Sequence, residues 1–325
     1  MINKKTLALT TVSLLCLGCS AVANTEQNLA QTHVDKAYAL AGDTFMRTTA
    51  ELQCSTDNRA MAFFKDKTVP PATKIFDNLY YVGVTPVGAY ALQTSDGIIL
   101  IDALNNTQEA QEVIESGMLS VGLDPADIKT IIVTHGHGDH YGGAKYLAEK
   151  YQASVMMSEL DWDMATNPAP RPARPGMPAP NWSTAPDKDL VATDGQEVTL
   201  GDTTVKIVFT PGHTPGTLSL IFPVTENGAR HTAALWGGTG IPKDKGLAQA
   251  YVNSAKKFAK LAKDMNVDVA LSNHAFVDDS LRRMAELRAN PDKANPFIIG
   301  QQMVQDYTQV IAECASAAVA RMPTE

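Results

Sequence analysis

Short apolar runs and longer amphipathic stretches alternate along most of the chain. Apolar runs of a few residues between turn signals predict strands, whereas apolar residues spaced near 3.6 predict helices. In the first half this pattern predicts strands, a helix, a buried strand, a second helix and a further strand. The segments are Leu79–Val84, Ala89–Gln93, Ile98–Ile101, Thr107–Met118, Thr130–Val133, Gly142–Lys150 and Ala153–Met157.

The second half of the chain repeats the same order of elements. Strands are predicted at Val198–Leu200, Thr204–Phe209, Leu218–Phe222, Ala233–Trp236 and Val267–Leu271, and helices at Leu247–Met265 and Val304–Arg321. Two halves that each carry several strands followed by helices indicate an α/β fold in which sheets are sandwiched between helices.

Two segments stand apart from this alternation. Asn28–Phe64 reads as a helical N-terminal segment that Pro70 and Pro71 end. The segment 167–186 contains seven of the eighteen prolines, so it cannot be a central strand or a helix interior. It is either a surface linker or a loop that overhangs a site.

The first residues have the features of an export signal. Lys4 and Lys5 form a basic start, Leu7–Leu17 is an apolar stretch too short to span a membrane, and Ala-Val-Ala at 21–23 fits a cleavage site. We therefore expect residues 1–23 to be a signal peptide and the mature protein to be periplasmic. The alternative is lipoprotein processing at Cys19, which would anchor the protein to a membrane.

The composition is that of a folded protein. From the element pattern we expect 24–69 to be a helical N-terminal segment and 70–325 to be the main domain, with the proline-rich loop at 167–186. The chain has 325 residues, of which 44% are hydrophobic and 19% charged. The net charge of −8 comes without a Lys/Arg cluster, which argues against nucleic-acid binding. No apolar run reaches the roughly 18 residues that a transmembrane helix needs.

Four cysteines are present, and export would remove Cys16 and Cys19 with the signal peptide. Cys54 and Cys314 would then remain as an even pair in an oxidising compartment, where a disulfide between them can persist. The alternative is a pair of unlinked buried thiols.

Three of the seven histidines lie in the sequence His-Gly-His-Gly-Asp-His at 135–140, directly after the apolar strand at 131–133. Loops at strand ends commonly carry reactive groups. Imidazole nitrogens and a carboxylate, with no cysteine nearby, are the ligand types of a catalytic zinc site. The motif therefore predicts a metal centre.

Two other histidines occur in the same context. His213 follows the strand at 205–209 and enters a turn controlled by proline and glycine, and His274 follows the strand at 269–271. Both are predicted metal ligands. His33 and His231 do not repeat this context and are expected to be surface residues.

With these motifs the chain, from about residue 74 to 280, resembles the metallo-β-lactamase superfamily of dinuclear zinc hydrolases. The resemblance implies an αββα sandwich with two zinc ions in a groove along one edge of the sheets. It assigns the first zinc to His135, His137 and His213. It assigns the second zinc to Asp139, His140 and His274.

The resemblance also implies roles around the metals. Asp102, after the strand at 98–101, matches a carboxylate that supports a ligand histidine from behind, although it could be an ordinary turn or N-cap residue. Many members place an Asp or Cys ligand where this chain has Thr239, and glyoxalase- and ribonuclease-like members bridge their metals with that Asp. The third β-lactamase subclass lacks that ligand and uses histidines for both metals, so it is the closest match. Thr239, Lys243 and Lys245 are weak candidates for holding a substrate carboxylate.

The expected reaction is hydrolysis of a small molecule with an electrophilic carbonyl, by water that zinc makes nucleophilic at neutral pH. Asp139 is the expected catalytic partner of that water. The leading interpretation is an exported β-lactamase. The alternatives are a hydrolase of another ester, lactone, thioester or amide on the same site, and an exported metal-binding protein without turnover.

Overall fold

The computed structural model of the protein describes residues 15–57, 60–66, 68–168 and 179–323. The first fourteen residues of the predicted signal peptide and the middle of the proline-rich segment lie outside the described residues. The predicted cleavage position after residue 23 falls within the first helix, Leu15–Ala41. Within the described part of the chain, no helix is long and apolar enough to cross a membrane.

Twelve strands form two mixed sheets in the described residues. The seven-stranded sheet has the order β1-β2-β3-β4-β5-β6-β7, and the five-stranded sheet the order β12-β11-β10-β9-β8. The strands are β1 (Thr73–Phe76), β2 (Leu79–Tyr81), β3 (Tyr90–Thr94), β4 (Gly97–Ile101), β5 (Ile128–Ile132), β6 (Ser154–Ser158), β7 (Leu190–Ala192), β8 (Glu197–Leu200), β9 (Thr203–Phe209), β10 (Leu218–Glu226), β11 (Ala229–Trp236) and β12 (Val269–Ser272).

The helices lie between these strands and at both ends of the described chain. They are α1 (Leu15–Ala41), α2 (Met46–Gln53), α3 (Met61–Lys65), α4 (Thr107–Glu109), α5 (Ser116–Ser120), α6 (Gly138–Tyr141), α7 (Ala144–Tyr151), α8 (Glu159–Thr166), α9 (Lys245–Asp264), α10 (Ser280–Ala289) and α11 (Gln301–Arg321). A π-helical stretch, Ala110–Glu115, joins α4 to α5, so the helix predicted at 107–118 is present with a local change of winding.

Three apolar clusters show how the layers stack. The two sheets face each other across one cluster, in which Ile99 and Ile132 of the larger sheet meet Leu220 and Leu271 of the smaller one. A second cluster packs α7 and neighbouring helices on the outer face of the larger sheet. A third packs α1, α2, α9 and α11 on the outer face of the smaller sheet. The architecture is therefore the predicted αββα sandwich, with helices at its N-terminus.

The N-terminal segment belongs to the third cluster rather than standing apart. The stretch predicted as helical, 28–64, is three helices, α1 to α3. Buried side chains of α1 and α2, including Ala37 and Met46, share their core with Phe258 of α9 and Ile311 of α11. The α1 and α2 helices thus contribute side chains to a core that they share with α9 and α11.

Cys54, directly after α2, and Cys314, in α11, form a disulfide across a sequence separation of 260 residues. This is the pair that the cysteine count predicts. Such a bond stabilises the fold mainly by restricting the unfolded chain.

We expect Cys54→Ser/Cys314→Ser to lower the free energy of unfolding by about 2–4 kcal/mol, because the long loop is no longer closed in the unfolded state. Denaturant unfolding of the oxidised protein and the double variant measures the difference. Thiol titration of the denatured, unreduced protein should find neither of these cysteines free. Two free thiols in oxidised preparations would contradict the pairing.

Candidate metal centre

The histidine motif occupies the turn between β5 and α6 and then α6 itself. His137 is the last extended residue before α6, and His140 lies within that one-turn helix. Gly138 must be small, because an ideal Cβ there would lie 2.3 Å from Cδ2 of Trp182. The local fold therefore turns three imidazoles and one carboxylate toward the end of the strand.

The structure brings all six predicted ligands together in two groups of three. Within each group, one potential ligand atom per residue lies within 4.8 Å of the others. The first trio is His135, His137 and His213. The second trio is Asp139, His140 and His274. The donors come from the ends of β5, β9 and β12, so both sheets contribute to one edge.

Hydrogen bonds orient the imidazoles of the first trio. Nδ1 of His135 donates to the carbonyl oxygen of Gly237 at 3.0 Å, and Nδ1 of His213 donates to that of Gly240 at 2.7 Å. Their Nε2 atoms lie 3.0 and 3.1 Å from Nδ1 of His137. Since the carbonyls take the Nδ1 protons of His135 and His213, the Nε2 lone pairs of these two rings face Nδ1 of His137.

The second trio is held in the same way. Nδ1 of His140 donates to Oδ2 of Asp102 at 2.7 Å, and Nδ1 of His274 donates to the carbonyl oxygen of Pro86. The two Nε2 atoms of these histidines lie 3.3 Å apart. Oδ2 of Asp139 lies 3.6 Å from Nε2 of His140. Two nitrogens and one carboxylate oxygen therefore converge.

This donor set fits zinc. Tetrahedral zinc with Zn–N bonds of about 2.0–2.1 Å has ligand nitrogens about 3.3 Å apart. The nitrogen–nitrogen separations of 3.0–3.3 Å within the trios are close to that value. Each trio supplies three ligands and leaves a fourth position, which is the pattern of catalytic rather than structural zinc. Metal ligation by these residues remains a prediction from geometry and donor chemistry.

Burial and mutual repulsion set the charges of the centre. Burial lowers the pKa of His135 well below its usual value, and neighbouring histidines lower it further. Burial and the charge of His140 lower the pKa of His274 to about 3. Burial opposes ionisation of Asp139, but the surrounding histidines lower its pKa to about 2. At neutral pH His135 and His274 are therefore neutral imidazoles, and Asp139 is an ionised carboxylate.

Asp102 contacts His140, as expected for the supporting carboxylate that the resemblance implies. It is fully buried and has a φ of 60°, a left-handed conformation that Asp tolerates better than most residues. Its carboxylate accepts from the backbone N–H of Thr134 at 2.7 Å, from the Thr134 hydroxyl at 2.9 Å and from His140. Burial lowers the pKa of His140, but Asp102 and Asp139 raise it overall.

The three weak candidates for substrate binding have different surroundings. The Thr239 hydroxyl is buried and hydrogen-bonded to the Ser272 hydroxyl at 2.9 Å and to Oδ1 of Asn273 at 3.0 Å. Lys245 donates to the carbonyl oxygen of Pro323 at 2.9 Å, at the far end of α11. Lys243 is exposed. Thr239 is thus part of the scaffold behind the centre, and a substrate role for the two lysines remains a prediction.

The described end of the proline-rich segment lies over the metal-binding motif. Nε1 of Trp182 donates to Oδ1 of Asn105 at 3.1 Å, and the backbone N–H of Ser183 donates to the carbonyl oxygen of Asn105 at 3.1 Å. Trp182 also fills the space beside Gly138. Of the two interpretations left open by the sequence, this end of the segment fits the overhanging loop.

Aromatic residues from the N-terminal segment border the second trio. Phe64 of α3 makes an edge contact with the ring of His274 at 5.5 Å, and Phe63 stacks on Phe276 at 4.6 Å. Phe276 itself lies 5.7 Å from His274. The sequence around 61–65 does not indicate these aromatic contacts, because they depend on how α3 packs against the residues that follow β12.

Two further polar side chains near the centre were not predicted from the sequence. Asn273 is buried beside His274 and donates to the carbonyl oxygen of Gly237 at 2.6 Å and to the Thr134 hydroxyl at 3.0 Å. Asp161, in the first turn of α8, is also buried and contacts both loops of the first trio. The burial of this carboxylate is the signal that would identify it, and burial is not visible in one sequence.

Residues 82–226 match the model of a protein family described as the metallo-beta-lactamase superfamily. The sandwich and its histidine-rich centre at the strand ends define a metal-dependent hydrolase. These matched residues, somewhat less than half of the chain, form a metallo-beta-lactamase superfamily domain.

Solved structures with this fold include subclass B3 metallo-beta-lactamases. BJP-1 of Bradyrhizobium japonicum is 28% identical with a TM-score of 0.60, and the alignment covers 76% of this chain and 93% of that one. Native FEZ-1 of Legionella gormanii shares the fold at 24% identity and a TM-score of 0.62, covering 75% and 93%.

Several curated relatives found by sequence are hydroxyacylglutathione hydrolases. A hydroxyacylglutathione hydrolase of Rhodopseudomonas palustris is 31% identical over 128 residues, which cover 39% of this chain and 42% of that protein. The matched region thus spans less than half of that relative.

Proposed function

We propose that this protein is an exported zinc-dependent β-lactamase. The observation that carries the proposal is the composition of the second trio, in which His274 joins Asp139 and His140. The resemblance to the third β-lactamase subclass implies this arrangement. Thr239, which would be an acidic bridge in a glyoxalase-like enzyme, is engaged with Ser272 and Asn273. The likeness to subclass B3 structures over three quarters of the chain supports the same conclusion.

The division of roles follows from burial. His135, His140 and His274 are buried, whereas His137, Asp139 and His213 are half-buried. The centre is therefore reached from the side of the half-buried group. Zinc bound there would supply hydroxide from water at neutral pH and would polarise a carbonyl oxygen. The ionised carboxylate of Asp139 accepts a hydrogen bond from the attacking water and orients it toward the carbonyl carbon.

Apolar side chains border the centre at both ends. Trp182 packs on Gly138 beside the motif, and Phe64 contacts the edge of the His274 ring. These rings give the apolar part of a bicyclic lactam a surface and reduce the exposure of the centre to bulk water.

Export is proposed on two independent observations. The basic, apolar and small residues of 1–23 form a signal-peptide pattern. The Cys54–Cys314 disulfide suits the oxidising periplasm. In that compartment a β-lactamase meets β-lactam antibiotics as they enter, which is how such an enzyme gives resistance.

A second candidate is thioester hydrolysis, which the hydroxyacylglutathione hydrolase among the relatives favours. We expect the zinc-loaded protein to hydrolyse a chromogenic cephalosporin, a penam or a carbapenem faster than a glutathione thioester, a lactone or a simple ester. Absorbance assays of these substrates at equal concentration decide between the candidates. Thioester turnover without β-lactam turnover would overturn the first proposal, and full zinc loading without any turnover would overturn both.

A further inference from the structure

Asp161 connects the two loops that carry the first trio. It lies in the first turn of α8, on the same strand–helix unit as β6, and its side chain is fully buried. Oδ2 accepts from the backbone N–H of Gly136 at 3.0 Å and from the Thr214 hydroxyl at 2.6 Å. Oδ1 accepts from the backbone N–H of Gly216 at 3.0 Å. One carboxylate therefore holds both loops.

The positions of these partners in the sequence are informative. Gly136 separates His135 from His137, and Thr214 and Gly216 follow His213 closely. All three ligands of the first trio are thus within three residues of a group that donates to Asp161. Asp102 and the Pro86 carbonyl contact ligands of the second trio, His140 and His274.

Tight packing makes this arrangement rigid. An ideal Cβ at residue 136 would lie 2.6 Å from the backbone oxygen of Asp161, and one at residue 216 would lie 2.0 Å from Oγ of Ser158. Ser158 is the N-cap of α8 and accepts from the backbone N–H of Asp161 at 3.2 Å. The start of α8 is therefore pressed against both loops, and only glycine fits at these two positions.

We propose that Asp161 is a positioning residue for the first metal site. By hydrogen-bonding to the β5–α6 loop and to the loop after β9, it fixes the relative placement of the ligands on these two loops. This rests on the proposed metal centre but not on any particular substrate. The three partners described above all donate hydrogen bonds, so Asp161 needs two acceptor oxygens. Asparagine has the same shape but only one, and its amide would face a donor on one of the two loops.

The test measures zinc binding in a His274→Ala background, where only the first trio is complete. We expect Asp161→Asn to weaken zinc binding there by about 10–100-fold, the usual effect of removing a group that orients metal ligands. Competition with a chromophoric chelator gives the affinity. Asp163→Asn, on the same helix but exposed, is the matched control and should bind zinc like its parent.

A second pair of variants keeps the test valid if Asp161→Asn does not fold. Thr214→Val removes the hydroxyl that donates to Asp161, whereas Thr214→Ser keeps it. We expect weaker zinc binding in the valine variant and parental binding in the serine variant. The melting temperature of each metal-free protein separates positioning from stability.

Reduced affinity in folded protein supports the proposal. The proposal is overturned if Asp161→Asn binds zinc as tightly as its parent. A lowered melting temperature with unchanged zinc affinity would mean that Asp161 has only a structural role. Because the readout is zinc alone, a failure of β-lactam hydrolysis leaves this result unaffected, whereas absence of zinc uptake by the wild type would refute the metal centre and the proposal together.

Discussion

Asp139→Asn is expected to lower kcat for β-lactam hydrolysis by about 10²–10⁴-fold, the range for losing a group that manages the proton or orientation of the reacting water. The native side chain is ionised at neutral pH, because the surrounding histidines lower its pKa to about 2. Asparagine keeps the shape and removes the charge. Steady-state kinetics on zinc-loaded protein measure the effect.

The control for this prediction is again Asp163→Asn, which removes an exposed carboxylate from the described chain without touching the centre. Its kcat should equal that of the wild type. Zinc content must be measured in parallel, because Asp139 is also a predicted ligand of the second trio. An Asp139→Asn enzyme that retains full metal and near-normal kcat would show that another group orients the water.

Removal of the metal should abolish turnover and leave the protein folded. The two trios lie at the edge of the sheets, whereas the three apolar clusters and the disulfide do not depend on them. Dialysis against a chelator, followed by circular dichroism and an activity assay, tests both parts of the prediction. Re-addition of two equivalents of zinc should restore activity, because the trios provide two sites.

The affinity of both sites should fall as the pH is lowered, since imidazoles must be neutral to bind metal. Activity that survives chelation, with metal content near zero, would exclude the zinc mechanism. Uptake of well below one zinc per chain in titration would contradict the assignment of two sites.

Local patterns explain why much of the centre was predictable from the sequence. His135, His213 and His274 each follow an apolar strand, so the pattern predicts both the strand and a candidate ligand at its end. The grouping into trios came from the family resemblance rather than from the pattern. Short-range information thus identifies which side chains carry chemistry, and the fold decides which of them meet.

The elements that were not predicted are either a short edge strand or helices in which a charged side chain is buried. β7, Leu190–Ala192, is a three-residue edge strand with two exposed side chains, so it has little apolar signal. α8 follows β6 without a break, and its first turn contains Asp161, which is buried despite its charge. α10, Ser280–Ala289, contains the buried Arg283, another position where polarity suggests exposure.

Contacts between distant parts of the chain could not be predicted from local sequence patterns. Arg283 lies with its guanidinium 4.5 Å from the ring of Phe45 and 4.3 Å from that of Phe297. The Thr49 hydroxyl donates to the Val277 carbonyl oxygen at 2.8 Å. These contacts join the N-terminal helices to the chain that follows His274, across more than two hundred residues.

The pairing of α1 and α2 with α11 affects when the protein can fold. The N-terminal helices emerge first in synthesis, yet their core partners Val304, Tyr307 and Ile311 belong to the last helix described. Contacts of such large sequence separation form slowly, because a long loop must close before they stabilise anything. The apolar faces of α1 and α2 therefore stay exposed to solvent until α11 has been synthesised. Under the proposed export, this order would delay completion of the core until after translocation.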